Sequence, residues 1–293
     1  MSDSKSYYLL ADGGGTKTTI RLLDCDYHII GNARSTPGNI KTSPEKAWAS
    51  IEAGIKGILP LNKLNHLSAV LGMAGFESVY SLEKFKALKP SYIKDLYVLS
   101  DAHIACLGAH GGCDGALVIV GTGVKGFQIE NEQFIDVAGW GFPYSDEGGG
   151  AWVGLEAVRH TFQVVDGRVK QSQLSELILS KYNHDPFQLL DTVIQATPYE
   201  FGQFCAFVVE GALKKDQASC EIMQKAANEI NQVIKALENK AQTKLHLPLS
   251  LAGGLSEYIE AFLPDDVRSR LVQRKGNALD GALYQLKKIN NMI

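Results

Sequence analysis

The sequence predicts an α/β fold built from two similar halves, each of which opens with a strand, a glycine turn and a second strand. In the first half an apolar run, residues 7–11, ends at Asp12 and three glycines, and the β-branched and apolar segment Thr18–Leu23 is the second strand. In the second half another apolar strand ends at Gly121-Thr122-Gly123, and residues 124–130 continue as a strand. Further strands and helices follow each hairpin, which is typical of an α/β protein.

The first glycine turn, Asp12-Gly13-Gly14-Gly15-Thr16-Lys17-Thr18, has the composition of a phosphate-binding turn. Consecutive glycines let the backbone approach a ligand closely, and their N–H groups can surround a phosphate. The turn is not a Walker A loop, because Thr16 rather than glycine precedes Lys17. It is not a dinucleotide fingerprint either, because a strand rather than a helix follows the glycines. Since the arrangement recurs at Gly121-Thr122-Gly123, we expect two turns that hold a polyphosphate from opposite sides.

The first half has the predicted element order βββαβαβα. Ser43 is the expected N-cap of the first helix, because Pro44 follows it and proline favours the first helical position. The predicted strands are 7–11, 18–23, 29–34, 67–71 and 96–99, and the predicted helices are 44–59, 81–88 and 102–109.

The second half begins with three strands and a glycine-rich loop from Gly139 to Gly150, after which helical patterns dominate. The predicted strands are 117–120, 126–130, 133–137 and 249–252, and the predicted helices are 151–163, 173–182, 186–194, 201–213, 220–240, 257–263 and 278–289. Ligands of open α/β sheets bind at the carboxyl ends of strands. Both glycine turns, Asp101 and Gly253-Gly254 occupy such ends, so the sequence predicts a binding site there.

Composition and charge argue against several classes of function. The chain has 293 residues, 45% of them hydrophobic and 21% charged, and a net charge of −3 from 29 basic and 32 acidic residues. Without a basic surplus or a Lys/Arg run, the sequence predicts neither a nucleic-acid partner nor a membrane partner. The first six residues lack the apolar core of a signal peptide, and the five cysteines form no CxxC pair. We therefore expect reduced thiols and a cytoplasmic location.

In their order and spacing these motifs resemble the actin-like sugar kinase superfamily, and within it the branch of N-acetylglucosamine kinases and bacterial glucosamine kinases. Residues 12–18 resemble the first phosphate motif of that family, Gly121-Thr122-Gly123 its second, and Leu251-Ala252-Gly253-Gly254 its adenosine motif. Ser100-Asp101-Ala102 falls where the family carries its catalytic base. The loop from Gly139 to Gly148 resembles its sugar-side loop, and the segments around Cys106, Asn183 and Gly202 resemble the glucosamine kinases.

The resemblance implies two actin-like (ribonuclease H-like) domains with a cleft between them. The first is residues 1–115 with a C-terminal helix at 277–293, and the second is residues 116–276. It also implies an ATP-dependent enzyme that uses Mg²⁺, forms a homodimer, and phosphorylates the 6-hydroxyl of N-acetylglucosamine or glucosamine.

The resemblance also implies a role for individual residues. Asp101 would accept the proton of the sugar hydroxyl, and Asp12 would hold Mg²⁺ through water. The implied ATP-binding residues are Asp12, Gly13, Gly14, Gly15, Thr16, Lys17, Gly121, Thr122, Gly123, Ala252, Gly253 and Gly254. The expected sugar-binding residues are Asn39, Asp101, Trp140, Gly141, Asp146 and Glu147.

Several of these residues also have an ordinary structural interpretation. Asp12 and Asn39 are residue types that are common in turns, and Lys17 suits a solvated hairpin. Aspartate is a favoured helix N-cap, which is the alternative role for Asp101, and capping is also the alternative for the acidic pair Asp146-Glu147. Tryptophan is more often a packing residue than a sugar platform, and this is the alternative for Trp140.

Two other functions compete with sugar phosphorylation. Activators of 2-hydroxyacyl-CoA dehydratases share the fold and bind an iron–sulfur cluster at a dimer interface, for which Cys106 and Cys113 are the candidate ligands. Their glycine–glutamine–aspartate signature is missing from this sequence. A sugar-responsive regulator would need a DNA-binding extension, and the first strand begins by Tyr7. The choice between glucosamine and N-acetylglucosamine stays open, because different segments resemble the kinases of each sugar.

Overall fold

The computed structural model describes residues 6–64, 66–242 and 246–292, and these form a mixed α/β protein with two sheets. The α/β class predicted from the sequence is confirmed. The chain divides into two compact units: the first contains the described residues up to Gly115 and those from Gln273 onward, and the second is Ala116–Val272. Among the described helices, none combines the length and the apolar character that crossing a membrane requires.

The strands are numbered in chain order. They are β1 (Ser6–Gly13), β2 (Thr18–Leu23), β3 (Ile29–Ser35), β4 (His66–Met73), β5 (Ile93–Leu99), β6 (Gly115–Val120), β7 (Val124–Glu130), β8 (Gln133–Ala138) and β9 (Leu249–Ala252).

The helices are also numbered in chain order. They are α1 (Pro44–Lys56), α2 (Val79–Ala87), α3 (Asp101–His110), α4 (Gly150–Val165), α5 (Gln173–Ser180), α6 (Pro186–Val193), α7 (Pro198–Leu213), α8 (Gln217–Lys240), α9 (Ser256–Ile259), α10 (Asp265–Arg268) and α11 (Ala278–Ile289). Two short 3-10 segments are Leu61–Lys63 and Glu260–Phe262.

The sheet of the first unit has the strand order β3-β2-β1-β4-β5. The strands β1, β2 and β3 form an antiparallel meander, while β4 runs parallel to β1 and β5 runs parallel to β4. The carboxyl ends of the three parallel strands therefore meet at one edge of the sheet. Asp12 lies at this edge in β1, and Asp101 follows β5 at the same edge.

Helices cover both faces of this sheet because its central strands are apolar on both sides. Successive side chains of a strand point to opposite faces. Leu9 packs in the cluster that contains Trp48 and Ile51 of α1, whereas Leu10 packs with Ile104 of α3 and Leu286 of α11. The near-continuous apolar pattern of β1 is what a strand buried on both faces requires.

The sheet of the second unit has the strand order β8-β7-β6-β9, with β9 parallel to β6 and β8 antiparallel to β7. One large apolar cluster joins this sheet to α4, α5, α7 and α8. The 24-residue α8 is amphipathic, and buried Ile222, Ile230 and Ile234 lie on the face that belongs to the cluster.

The predicted elements of the sequence occur in the structure with small shifts at their ends. The predicted helix 257–263 is a short α-helix followed by a 3-10 segment, and helix α10 was not predicted. Four residues are too few for a hydrophobic period to be recognised, which explains the omission.

Candidate functional site

The first glycine turn is held in place by backbone hydrogen bonds from two neighbouring loops. The N–H of Gly14 donates to the carbonyl of Lys17 at 2.9 Å and closes the turn, while Gly38 N donates to Gly14 O at 3.0 Å. Ala74 N donates to Gly13 O at 2.8 Å, so the segment after β4 supports the turn from the other side. Gly15, Thr16 and Lys17 form the exposed tip, and a side chain at position 15 would meet nothing within 4 Å.

Asp12 is a half-buried carboxylate with a second carboxylate nearby. Burial is the main reason that the pKa of Asp12 rises to about 6, and repulsion from Asp101 raises it further. A hydrogen bond from Thr19 Oγ1 at 3.5 Å and the charge of Lys17 oppose the rise without cancelling it. The structure thus brings together two acids predicted from the sequence, at positions 12 and 101.

Asp101 is the first residue of α3 and does not cap it. The N-cap is Ser100, whose hydroxyl oxygen accepts the N–H of His103 at 3.0 Å. The alternative interpretation of Asp101 as the helix cap is therefore wrong, because the preceding serine already satisfies that role. Asp101 is half-buried, and its Oδ1 accepts the N–H of Ala102 at 2.8 Å.

Asn39 organises the loop that follows Gly38. Its Oδ1 accepts the backbone N–H groups of Lys41 and Thr42, at 2.9 and 3.3 Å, which is the turn role that asparagine commonly fills. Within the described part of the chain, its amide nitrogen has no hydrogen-bond partner. Asn39 therefore combines the structural role with a donor that remains available to a ligand.

The second glycine turn, Gly121–Gly123, joins β6 to β7 and lies against the N-terminus of α4. Gly150 N donates to Gly121 O at 2.7 Å, and Ala151 N donates to Thr122 O at 2.9 Å. The N-terminal end of a helix carries partial positive charge and favours anions. These two hydrogen bonds fix the second glycine turn against the first residues of α4, at the helix end where an anion would be favoured.

The predicted adenosine motif lies beside this turn. Ala252 ends β9 and is buried. Gly253 has φ +96, and a Cβ atom added at this position would lie only 2.3 Å from the carbonyl oxygen of Val120. Only glycine fits such a position without strain. Gly254, in contrast, would meet nothing within 4 Å if a side chain were added, so its backbone borders open space.

A cavity of about 670 Å³ opens at this point, lined by Gly121, Thr122, Gly150, Gly254 and Tyr258 among others. Its volume is within the range of small-molecule and cofactor sites. The two glycine motifs of the second unit that were predicted from sequence thus converge on one cavity.

One wall of this cavity was not predicted. It is formed by α7, through Tyr199, Gly202, Gln203, Ala206 and Glu210. Gly202 and Ala206 are four residues apart and share one helix face, where their small size leaves the cavity open. That spacing was visible in the sequence, but nothing in the sequence indicated that α7 packs beside the glycine turns.

The predicted sugar-side loop has an unusual conformation. Trp140 is 90% exposed, Gly141 has φ +107, and Asp146 has φ +70. The interpretation of Trp140 as a packing residue is wrong, because its ring lies in solvent.

The acidic pair of this loop has two different environments. Burial raises the pKa of Asp146, although its carboxylate accepts the backbone N–H groups of Val124 and Phe142 and thereby ties the loop to β7. Glu147 is exposed. Neither residue is the N-cap of α4, which is Gly149, so the capping interpretation is wrong for both.

The residues around Asp12 fit a magnesium ion. Burial and the nearby Asp101 carboxylate both destabilise the ionised form of Asp12. A divalent cation would stabilise that form, because it supplies positive charge next to the carboxylates. Oxygen is the ligand atom that Mg²⁺ prefers, and the ion usually keeps part of its water shell.

The fold and these sites define an actin-like ATPase of the sugar-kinase type. The chain matches the BadF/BadG/BcrA/BcrD ATPase family over residues 11–283, and it belongs to that family. It is 29% identical to the glucosamine kinase GspK of Vibrio cholerae over 95% of both chains. It is 27% identical to the N-acetylmuramic acid/N-acetylglucosamine kinase of Clostridium acetobutylicum over 90% of both.

The fold agrees with that of a solved relative. A Chromobacterium violaceum protein assigned as an N-acetylglucosamine kinase superimposes with a TM-score of 0.83 at 27% identity, covering 97% of this chain and 99% of the other. The resemblance to the N-acetylglucosamine and glucosamine kinase branch, inferred from the sequence motifs, is confirmed.

The cysteines give no support to the iron–sulfur alternative. Cys106 is 1% exposed within α3, and its thiol donates to Gly115 O at 3.4 Å. A cluster at a subunit interface needs ligands that reach the surface, and this side chain does not. Cys113 is exposed and free.

Proposed function

We propose that the protein transfers the γ-phosphoryl group of ATP to the 6-hydroxyl of an amino sugar, either glucosamine or N-acetylglucosamine. The observation that carries the proposal is the cavity of the second unit, where Gly121–Gly123, Gly254 and the N-terminus of α4 converge. Such a site suits a nucleotide whose phosphates lie at the glycine turn. The curated relatives named above are kinases of glucosamine and of N-acetylglucosamine, which supports the same conclusion.

In this proposal the nucleotide is held by backbone groups. Each of the turns Gly13–Lys17 and Gly121–Gly123 would offer backbone N–H groups to a phosphate. Gly254, which follows Ala252 and Gly253, would border the adenosine together with α7. Asp12 would hold Mg²⁺, and the ion would supply the positive charge that offsets the charge of the phosphates. Lys17, at the exposed tip of its turn, adds a positive charge near them.

The sugar hydroxyl is activated by Asp101. The carboxylate would accept the hydroxyl proton as the sugar oxygen bonds to the γ-phosphorus, and the bond from that phosphorus to the β,γ-bridging oxygen would break to release ADP. Asn39, through its available amide, and Glu147, through its exposed carboxylate, are the proposed partners of the sugar hydroxyls. Trp140 offers an aromatic face to the sugar, and Gly141 and Asp146 shape the loop that carries it.

A coupled ADP-release assay over glucosamine, N-acetylglucosamine, N-acetylmannosamine and glucose tests the proposal. Phosphorus NMR of the product identifies the phosphorylated oxygen. Release stimulated by an amino sugar, with phosphate on the 6-oxygen, supports the proposal. If no amino sugar raises the rate of ADP release above the rate measured without sugar, the proposed function is wrong.

The remaining expectations belong to the same proposal. They are the actin-like domains 1–115 with 277–293 and 116–276, a homodimer, and a cytoplasmic location in which all five cysteines stay free. Light scattering coupled to size-exclusion chromatography measures the oligomeric state.

A further inference from the structure

The carboxyl end of β4 lies between Asp12 and the strand that leads to Asp101. In the strand register, Gly72 of β4 pairs with Asp12 of β1 on one side and with Leu99 of β5 on the other. Adjacent strands are about 4.8 Å apart. Asp101 follows Leu99 by two residues, so Gly72 lies between the strand that carries Asp12 and the strand that leads to Asp101.

Gly72 faces the layer of helices that contains Asp101. Leu10 and Val70 pack with Ile104 of α3, and Asp12 and Gly72 lie two residues further along the same strands. Because side chains alternate along a strand, Asp12 and Gly72 share the face that α3 covers.

α3 approaches this position so closely that no side chain fits. A Cβ atom at Gly72 would be 2.2 Å from Ile104 Cδ1, 2.4 Å from Ile104 Cγ1 and 3.2 Å from the Cα atom of Asp101. The Ile104 side chain therefore occupies the space that a Cβ atom at position 72 would need, and the Asp101 backbone lies at the edge of that space, closer than a Cβ atom normally allows.

α3 is also confined from its other side. A Cβ atom at Gly281 of α11 would be 1.8 Å from Ile104 O, and one at Gly108 would be 1.9 Å from Asn277 O. The helix backbones of α3 and α11 are thus in direct contact, and α3 has no free space into which to retreat. Ile104 itself is fully buried.

We propose that Gly72 is a positioning residue for Asp101: its missing side chain sets the separation between the Asp101 carboxylate and the end of β1. The inference rests on the proposed function, in which Asp101 is the base. Catalytic geometry is sensitive to such a separation, since a displacement of about 1 Å can lower turnover about 100-fold.

The test compares Gly72→Ala with Gly54→Ala. A Cβ atom at Gly54 of α1 would be 2.1 Å from Ile20 Cδ1, which is the same kind of clash in the opposite helix layer and does not involve Asp101. We expect both variants to lower the melting temperature. Gly72→Ala alone should lower kcat, by roughly 10–100-fold, while the affinity for ADP, measured by calorimetry, stays unchanged in both.

A second pair of variants separates packing from positioning if Gly72→Ala folds poorly. Ile104→Ala removes both side-chain atoms nearest to position 72, so that Gly72→Ala in that background loses the two shortest contacts and keeps the one with the Cα atom of Asp101. The double variant should turn over several-fold more slowly than Ile104→Ala.

The outcomes distinguish this inference from the function on which it rests. Equal kcat values for Gly72→Ala and Gly54→Ala, or for the double variant and Ile104→Ala, overturn the positioning role and leave the kinase assignment intact. A parallel loss of ADP affinity in Gly72→Ala also overturns it, because the damage would then extend beyond Asp101. A wild-type protein without amino-sugar-dependent turnover overturns both.

Discussion

Arg21 of β2 and Asp280 of α11 form an ion pair at 2.7 Å, although 259 residues separate them in the chain. The other carboxylate oxygen of Asp280 accepts the N–H of Asn277 at 2.8 Å, which completes the capping box of α11. The pair therefore fastens the last helix to the first sheet at the point where that helix begins.

Replacing Asp280 with asparagine should destabilise the protein more at pH 7 than at pH 3. Burial alone would raise the pKa of Asp280, but the hydrogen bond from Arg21 and the N–H of Asn277 outweigh it, and the net pKa is lowered. A lowered pKa in the folded state contributes stability above the unfolded pKa, and that contribution is lost as the pH falls through the folded value. Because the ion pair is partly exposed, we expect Asp280→Asn to lower the free energy of unfolding by about 1 kcal/mol at pH 7.

Urea denaturation at the two pH values measures this effect. The asparagine carbonyl can still accept the N–H of Asn277, so the cap is retained. Asp265→Asn is the control, because its partner Arg268 lies on the same exposed turn. If Asp280→Asn lowers the free energy of unfolding equally at pH 3 and pH 7, the charge of Asp280 does not stabilise the fold.

Ser100 and Asp101 should separate stability from catalysis. Ser100→Ala removes the side-chain cap of α3 and should cost about 1 kcal/mol of folding free energy, with turnover per folded molecule preserved. Asp101→Asn leaves that cap in place and should keep the melting temperature, but turnover should fall by about 10²–10⁴-fold because an amide does not accept the proton. Near-normal turnover in Asp101→Asn would end the assignment of the base.

Asp12→Asn should stabilise the metal-free protein at high pH. The folded pKa of about 6 lies above the ordinary value of 3.8, so the ionised carboxylate costs stability above pH 6 and the cost disappears as the pH falls to 4. We expect a gain on the order of 1–3 kcal/mol at pH 8 and none at pH 3.5. Denaturation in EDTA measures it, and turnover at limiting Mg²⁺ should fall in the same variant. If Asp12→Asn is no more stable than the wild type at pH 8, the ionised Asp12 carboxylate does not destabilise the fold.

Gly253→Ala and Gly254→Ala should have different effects on the same loop. Gly253 has a positive φ, and a Cβ atom added there would lie 2.3 Å from the carbonyl oxygen of Val120. Gly253→Ala should therefore lower the free energy of unfolding by about 1–3 kcal/mol. Gly254 borders the cavity without such a contact. Its alanine variant should keep the melting temperature and lose affinity for ADP in calorimetry. The reverse pattern would show that the cavity is not the nucleotide site.

Local sequence determined the elements and the glycine turns, because both depend on interactions between residues close in the chain. The apolar run before Asp12 is short and ends at glycines, which favours a strand, and three glycines permit a tight turn. The same holds for the second turn at Gly121–Gly123 and for the amphipathic α8. The motifs of the candidate site could be recognised for this reason.

The tertiary structure alone decided which residues share a site. Asp101 looked like a helix cap in sequence, because local propensity does not distinguish a cap from its neighbour; the fold gives that role to Ser100. The wall of the cavity made by α7 and the ion pair of Arg21 with Asp280 join residues that are distant in the chain. Gly72 has no side chain from which a role could be inferred, and its importance comes from the atoms that surround it. Such contacts depend on how whole helices and strands pack, and a sequence pattern of period 2 or 3.6 specifies only which face is buried, not the partner that buries it.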